Sequence, residues 1–135
     1  MLTPVLVDTN VILDVSTNNS QWFEWSADAL ERTADNSTLV INPIIYAEVS
    51  VRFPTIESIE AALPIELVRR EQLPWEAGFL AGKCYADYRR RGGARTSPLP
   101  HFYIGAHAAV RNLGLLTRDS ARYRTYFPRV EIFAP

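Results

Sequence analysis

Two kinds of apolar pattern alternate along the chain. Short unbroken runs of β-branched residues and Leu recur at Val5–Val7, Thr38–Ile41 and Leu115–Thr117. Runs of this length read as strands buried on both faces, the habit of a parallel sheet. Ile65–Arg69 predicts a weaker strand and Val130–Phe133 a last one. Between them the period changes. Trp22, Trp25 and Ala29 lie at i, i+3, i+7 in a helix predicted from Ser20, its cap, to Arg32. Ala77, Leu80, Ala81, Cys84 and Tyr88 mark one face of the longest helix, Pro74 to Arg91.

Punctuation agrees with this division. Thr9 and Asn10 are good caps for a helix directly after the first strand, and Asn42-Pro43 opens another to Phe53. Pro54-Thr55 stops that helix and starts a short one through Ala62. Asp35-Asn36-Ser37 is a turn cluster, and Gly92-Gly93 ends the long helix before a loop over residues 94–99. Pro100 starts a helix to Asn112, with Gly114 as its cap, and Ser120–Phe127 predicts a helical turn. Strands alternating with helices predict an α/β fold, a parallel sheet covered on both faces.

The 135 residues suit one domain over 1–135. Composition changes this picture little: 47% hydrophobic and 21% charged residues are ordinary for a globular chain. No apolar run approaches the ~20 residues that span a bilayer, so no membrane partner is expected. No basic region followed by an apolar segment opens the chain, so no signal peptide is expected. The single cysteine, Cys84, fits a reducing cytoplasm and reads as a small buried hydrophobe. Charge adds more. Residues 1–76 carry a net −8 and residues 77–135 a net +7. That asymmetry either sets a basic face beside an acidic site, useful on a phosphate backbone, or pairs off within the domain.

Three acids stand out against apolar surroundings. Asp8 and Asp119 follow apolar strands, and Glu48 sits inside an apolar helix after the second strand. In an open α/β sheet such positions face the crevice at the strands' carboxyl ends, where ligands bind. Clustered carboxylates raise one another's pKa unless a cation neutralises them, and Mg²⁺ or Mn²⁺ prefers oxygen ligands. Such an ion activates water and stabilises a phosphodiester transition state. Each acid also has a bland role: Asp8 and Asp119 as helix caps, Glu48 on a helix surface. Asn10 and Thr117 stand beside the acids and suit hydrogen bonds to them. Asp14 reads as a helix-end residue. Arg89, Arg90, Arg91 and Arg95 flank the glycine break and suit phosphates, or equally complete a helix C-terminus. Arg118, Arg122, Arg124 and Arg129 form a second set with the same ambiguity.

Four segments together resemble the PIN-domain ribonuclease toxins of the VapC type. They are Val7-Asp8-Thr9-Asn10-Val11-Ile12-Leu13-Asp14, Asn42-Pro43-Ile44-Ile45-Tyr46-Ala47-Glu48-Val49, Leu99-Pro100-His101 through His107-Ala108, and Leu115-Leu116-Thr117-Arg118-Asp119 through Phe127-Pro128. The resemblance implies a three-layer α/β/α domain with strand order 3-2-1-4-5. It also implies Mg²⁺- or Mn²⁺-dependent cleavage of RNA, a homodimer, and a cognate antitoxin whose tail fills a groove. One position departs. The family usually places an acid, a metal ligand, after the Leu-Pro of the third segment, and here it is His101. Imidazole is a poor Mg²⁺ ligand, so the resemblance with this change implies weak metal binding and impaired or absent cleavage. His107 reads as a packed helix residue. Two alternatives frame the nuclease reading. A phosphatase of the haloacid-dehalogenase kind needs a second acid two residues after the first, where Asn10 stands. A degenerate module that only binds RNA or antitoxin is the other.

Overall fold

A computed structural model describes residues 3–96 and 99–135. Ser97 and Pro98, within the predicted loop over 94–99, lie outside the described residues. The chain runs β1 (Val5–Val7), α1 (Thr9–Ser16), α2 (Phe23–Asn36), β2 (Leu39–Ile41), α3 (Pro43–Ser50), α4 (Ile56–Ala62) and β3 (Val68–Arg70). It continues with α5 (Trp75–Arg90), α6 (Pro100–Arg111), β4 (Gly114–Leu116), α7 (Ala121–Arg124) and β5 (Ile132–Phe133). The five strands form one parallel sheet in the order β3-β2-β1-β4-β5. The apolar runs of β1, β2 and β4 are buried at every position, which is why they carry no alternation.

Strand β1 is central. Leu6 pairs with Val40 on one side and Leu115 on the other. Right-handed crossovers from β1 to β2 and β2 to β3 put α1–α4 on one face, and the reversed step from β3 to β4 puts α5–α7 on the opposite one. In accord with this, α1 packs on α2 and α5 on α6. The chain reverses direction across the sheet between β1 and β4, so the carboxyl ends of these two strands border the crevice.

Several predicted boundaries move, each for a local reason. Helix α2 begins at Phe23, not Ser20, because the Asn19 side chain accepts from the Gln21 and Trp22 N–H groups and ties up that turn. It continues past Arg32 to Asn36, whose side chain donates back to the Arg32 carbonyl. Strand β3 is Val68–Arg70, because Leu67 and Val68 donate to the Pro64 carbonyl and close a turn there. Helix α6 ends on Asn112 in the left-handed conformation (φ 54°) rather than on Gly114. Gly114 is instead the first residue of β4, where a Cβ would meet the Phe133 ring at 2.8 Å. Helix α1 is capped by Asp8 itself, whose Oδ1 accepts from the Thr9 N–H at 2.8 Å.

Candidate active site

The acid after β1 is the centre of a dense polar cluster. Asp8 is 3% exposed. Its Oδ2 accepts from the Thr117 hydroxyl at 2.8 Å, the Tyr123 hydroxyl at 2.8 Å and the Asn10 amide at 3.4 Å. Burial raises the Asp8 carboxyl above its ordinary value; the bonds from Thr117, Tyr123 and Thr9 and the charge of Arg122 pull the other way without overcoming it. Burial, then the adjacent Asp8 carboxylate, pushes the Tyr123 phenol well above 10. Tyr123 therefore stays a hydrogen-bond donor at any working pH.

The first residues of α1 carry this cluster outward. The Thr9 hydroxyl donates to Glu48 Oε1 at 2.7 Å, which links α1 to α3 and brings Glu48 to the same cleft. Asn10 donates to Thr117 at 3.3 Å and accepts from the Arg118 N–H at 3.3 Å. Arg118 in turn grips Asp14 with two bonds, Nε to Oδ2 at 2.8 Å and Nη2 to Oδ1 at 3.0 Å. Asp14 is 2% exposed and also accepts from Ser26 at 2.7 Å. A bidentate pair with a third donor is the arrangement that makes a buried carboxylate tolerable.

These groups open into a cleft of about 490 Å³. Its wall includes Asp8, Glu48, His101 and Tyr123, with Arg52, Arg95, Arg118 and Arg122 around them. The His101 ring stands edge-on to Tyr123, with centroids 6.1 Å apart. Burial, helped by Arg122 and opposed by Asp119, lowers its pKa to about 4, so the imidazole is neutral near pH 7.

No family model matches the chain, and no curated protein matches it in sequence. Solved structures do match. VapBC-1 from nontypeable Haemophilus influenzae is 21% identical, with a TM-score of 0.72 over 97% of each chain. VapBC2 from Rickettsia felis, bound to a promoter DNA fragment, is 17% identical, with a TM-score of 0.70 over 97% of this chain and 98% of that one. FitAcB from Neisseria gonorrhoeae is 18% identical, with a TM-score of 0.69 over 97% of each. The fold is that of the VapC-type PIN domain.

Within this PIN fold the positions singled out in the sequence separate. Asp8, Glu48 and His101 line one cleft, and Asn10 and Thr117 both bond to Asp8. Asp119 stands beside the cleft rather than in its wall: its Oδ2 lies 3.3 Å from Arg122 Nε, three residues on, and its charge acts on His101 and Arg118. Among the described residues no three His, Cys, Asp or Glu side chains gather closely enough to hold a metal ion. The expected meeting of Asp8, Glu48 and Asp119 around one ion is thus reduced to a pair of carboxylates. That pair still has the chemistry for a hard cation, since both are oxygen donors and Asp8 is a desolvated carboxylate.

The arginines divide too. Arg90 and Arg91 pair with Asp87, and Arg89 donates to the Arg95 carbonyl, all at the exposed end of α5. Of the four around the glycine break, Arg95 lines the cleft. Arg52 lines it from just past α3, unnoticed in the sequence because it stands apart from both arginine sets. Asp14, read as a helix-end residue, is the buried partner of Arg118. Tyr123 carried no sequence signal; only a helical turn after Asp119 brings it under Asp8. His107 is fully buried, between Asn42 and Glu71.

Proposed function

We propose that this chain is a PIN-type ribonuclease toxin, cytoplasmic, whose cleft takes a single RNA strand and whose activity is limited by His101. The observation that carries this reading is the buried Asp8 carboxylate at the end of β1, offered to a cleft ringed by arginines. Asp8 and Glu48 would hold Mg²⁺ or Mn²⁺, and Asp119 would join only by leaving Arg122. The bound ion supplies a Lewis acid and an activated water for phosphodiester hydrolysis. Arg52, Arg95 and Arg122 neutralise and orient backbone phosphates, and Arg is the better of the two long cations for that contact. Asn10 and Thr117 hold Asp8 in place.

Two surfaces support the partners. An apolar groove of about 620 Å³ runs between α1, α2 and the α4–β3 turn, lined by Ile12, Leu30, Leu63 and Leu67 with Glu31 and Glu66 among them. Its chemistry suits an antitoxin segment that is apolar on one face and basic at its margin. Helix α1 separates this groove from the cleft, so a tail leaving the groove can round α1 and present a cation to Asp8. On α5, Trp75 and Phe79 are 94% and 70% exposed, and Gly78 and Gly82 beside them leave open space. Knobs and hollows on one helix face suit a two-fold homodimer contact.

A second reading has its own observation. With His101 neutral, cations outnumber acids around the cleft, which favours a degenerate module that binds RNA or antitoxin without cutting. RNA cleavage in Mn²⁺ and in Mg²⁺, by this chain and by His101→Asp, separates the two. The enzyme reading expects cleavage by the Asp variant, with Mn²⁺ affinity about tenfold above the parent's. If neither form cuts any RNA and both bind the antitoxin, the module reading replaces it.

A further inference from the structure

The two oxygens of Asp8 are used very unequally. Among the described residues Oδ1 accepts one bond, from the Thr9 N–H. Oδ2 accepts three, from Thr117, Tyr123 and Asn10. A carboxylate oxygen offers about two lone-pair directions, so among the described residues Oδ2 is filled and Oδ1 keeps one free. The donors on Oδ2 are themselves fixed. The Thr117 hydroxyl oxygen already receives the Asp119 N–H at 3.0 Å and the Asn10 amide at 3.3 Å, so its own proton goes to Asp8. The Tyr123 hydroxyl bonds to Asp8, and its ring is 0% exposed, with His101 set edge-on against it.

We propose that Tyr123 is a positioning residue of the cleft: with Thr117 it occupies Oδ2 of Asp8 and so makes Oδ1 the oxygen presented to a divalent cation. The proposal rests on the nuclease reading for the cation, but not for the ordering of Asp8. A rigid aromatic ring reaches from α7 to the cap of α1 and decides the rotation of the one carboxylate on which both the helix start and the site depend. Tyr123 also touches residue 101, so one side chain sets the orientation of Asp8 and bounds the space of its neighbour in the cleft.

The test is Mn²⁺ binding by titration calorimetry on the full chain, in the parent and in His101→Asp, each with and without Tyr123→Phe. The phenylalanine keeps the ring and removes the donor. Ile59→Val, on the buried face of α4 and away from the cleft, controls for lost stability. Tyr123→Phe should weaken Mn²⁺ about tenfold, the usual size of such an effect on a ligand, while Ile59→Val stays within about twofold. Equal Mn²⁺ affinity in Tyr123→Phe and its parent would overturn the proposal. A second measurement needs no metal. Tyr-selective NMR should show a slowly exchanging Tyr123 hydroxyl proton that moves in Asp8→Asn. If it does not move, Tyr123 does not order Asp8. If neither parent nor His101→Asp binds Mn²⁺, the nuclease reading falls, and the hydroxyl resonance alone decides the positioning role.

Discussion

Two polar clusters are buried beside the ends of adjacent strands, and they are finished differently. Beyond β2, Asn42 accepts from the Ile45 N–H at 2.9 Å and faces His107 Nδ1 with its amide at 3.0 Å. His107 Nδ1 is therefore the acceptor, and Nε2 turns its proton to Glu71 Oε1 at 3.3 Å. Both ends of the amide and both nitrogens of the ring are spent within the protein. Beyond β1, Asp8 also caps a helix and also bonds across the sheet, but among the described residues Oδ1 keeps a free direction, and the cluster opens on a cleft. The closed cluster holds α3, α6 and the end of β3 together. The open one has valence left for something else. Buried polar groups alone do not mark a site; unspent bonding capacity facing a cleft does.

The largest expected effect comes from breaking the closed cluster. Asn42→Ala removes the α3 cap and strands His107 Nδ1, and should cost about 2–4 kcal/mol in urea unfolding. Mn²⁺ affinity should not move; if it does, the clusters are not separate. Asp8→Asn makes the opposite test. Asn has one acceptor oxygen where the donors now meet two, so unfolding should cost about 1–3 kcal/mol, while cleavage and Mn²⁺ binding fall about a hundredfold. A large stability loss with unchanged binding would reduce Asp8 to a cap.

Much of the fold was legible because its signals are local. Asn42-Pro43, Gly92-Gly93 and the apolar runs of β1, β2 and β4 each act within a few residues. The strand order came only with the resemblance, since nothing local distinguishes β3 beside β2 from β3 beside β4. In the site, Asp8 with Asn10 and Thr117 could be read as neighbours of strand ends. Tyr123 could not: it meets Asp8 115 residues away in sequence, and an Arg-Tyr-Arg turn looks like any surface helix. The Asp14–Arg118 pair spans 104 residues and was hidden for the same reason. Asp119 follows β4 as expected, but its carboxylate pairs with Arg122 at 3.3 Å and does not line the cleft.

Smaller effects sharpen the contrast at the cleft. Arg52→Ala and Arg95→Ala should each weaken binding of single-stranded RNA and lower the salt slope by about 1, while Arg90→Ala, paired with Asp87, leaves both unchanged. Equal losses at all three would return the contact to the end of α5. The smallest is a pH effect on the melting temperature. His101, lowered to about 4, and His107, lowered mainly by burial, both resist protonation in the folded state. Their contribution is whole above about pH 6.5 and is lost as pH falls through the lowered values. Asp8, raised, works against this loss, since its protonation favours the folded chain. His101→Gln should flatten part of the acid slope and leave the His107 part; Asp8→Asn should steepen it.

Helix α1 has eight residues and hardly an idle one. Thr9 and Asn10 serve Asp8 and Glu48, Val11 and Ile12 fill the core, and Asp14 seats Arg118. Leu13 faces the cleft, while Val15 and Ser16 line the opposite groove. In a saturation scan this short segment should therefore be the least forgiving stretch of the chain. Natural or laboratory drift would have to retune recognition and chemistry from the outer rims, because the partition between them has no spare letters.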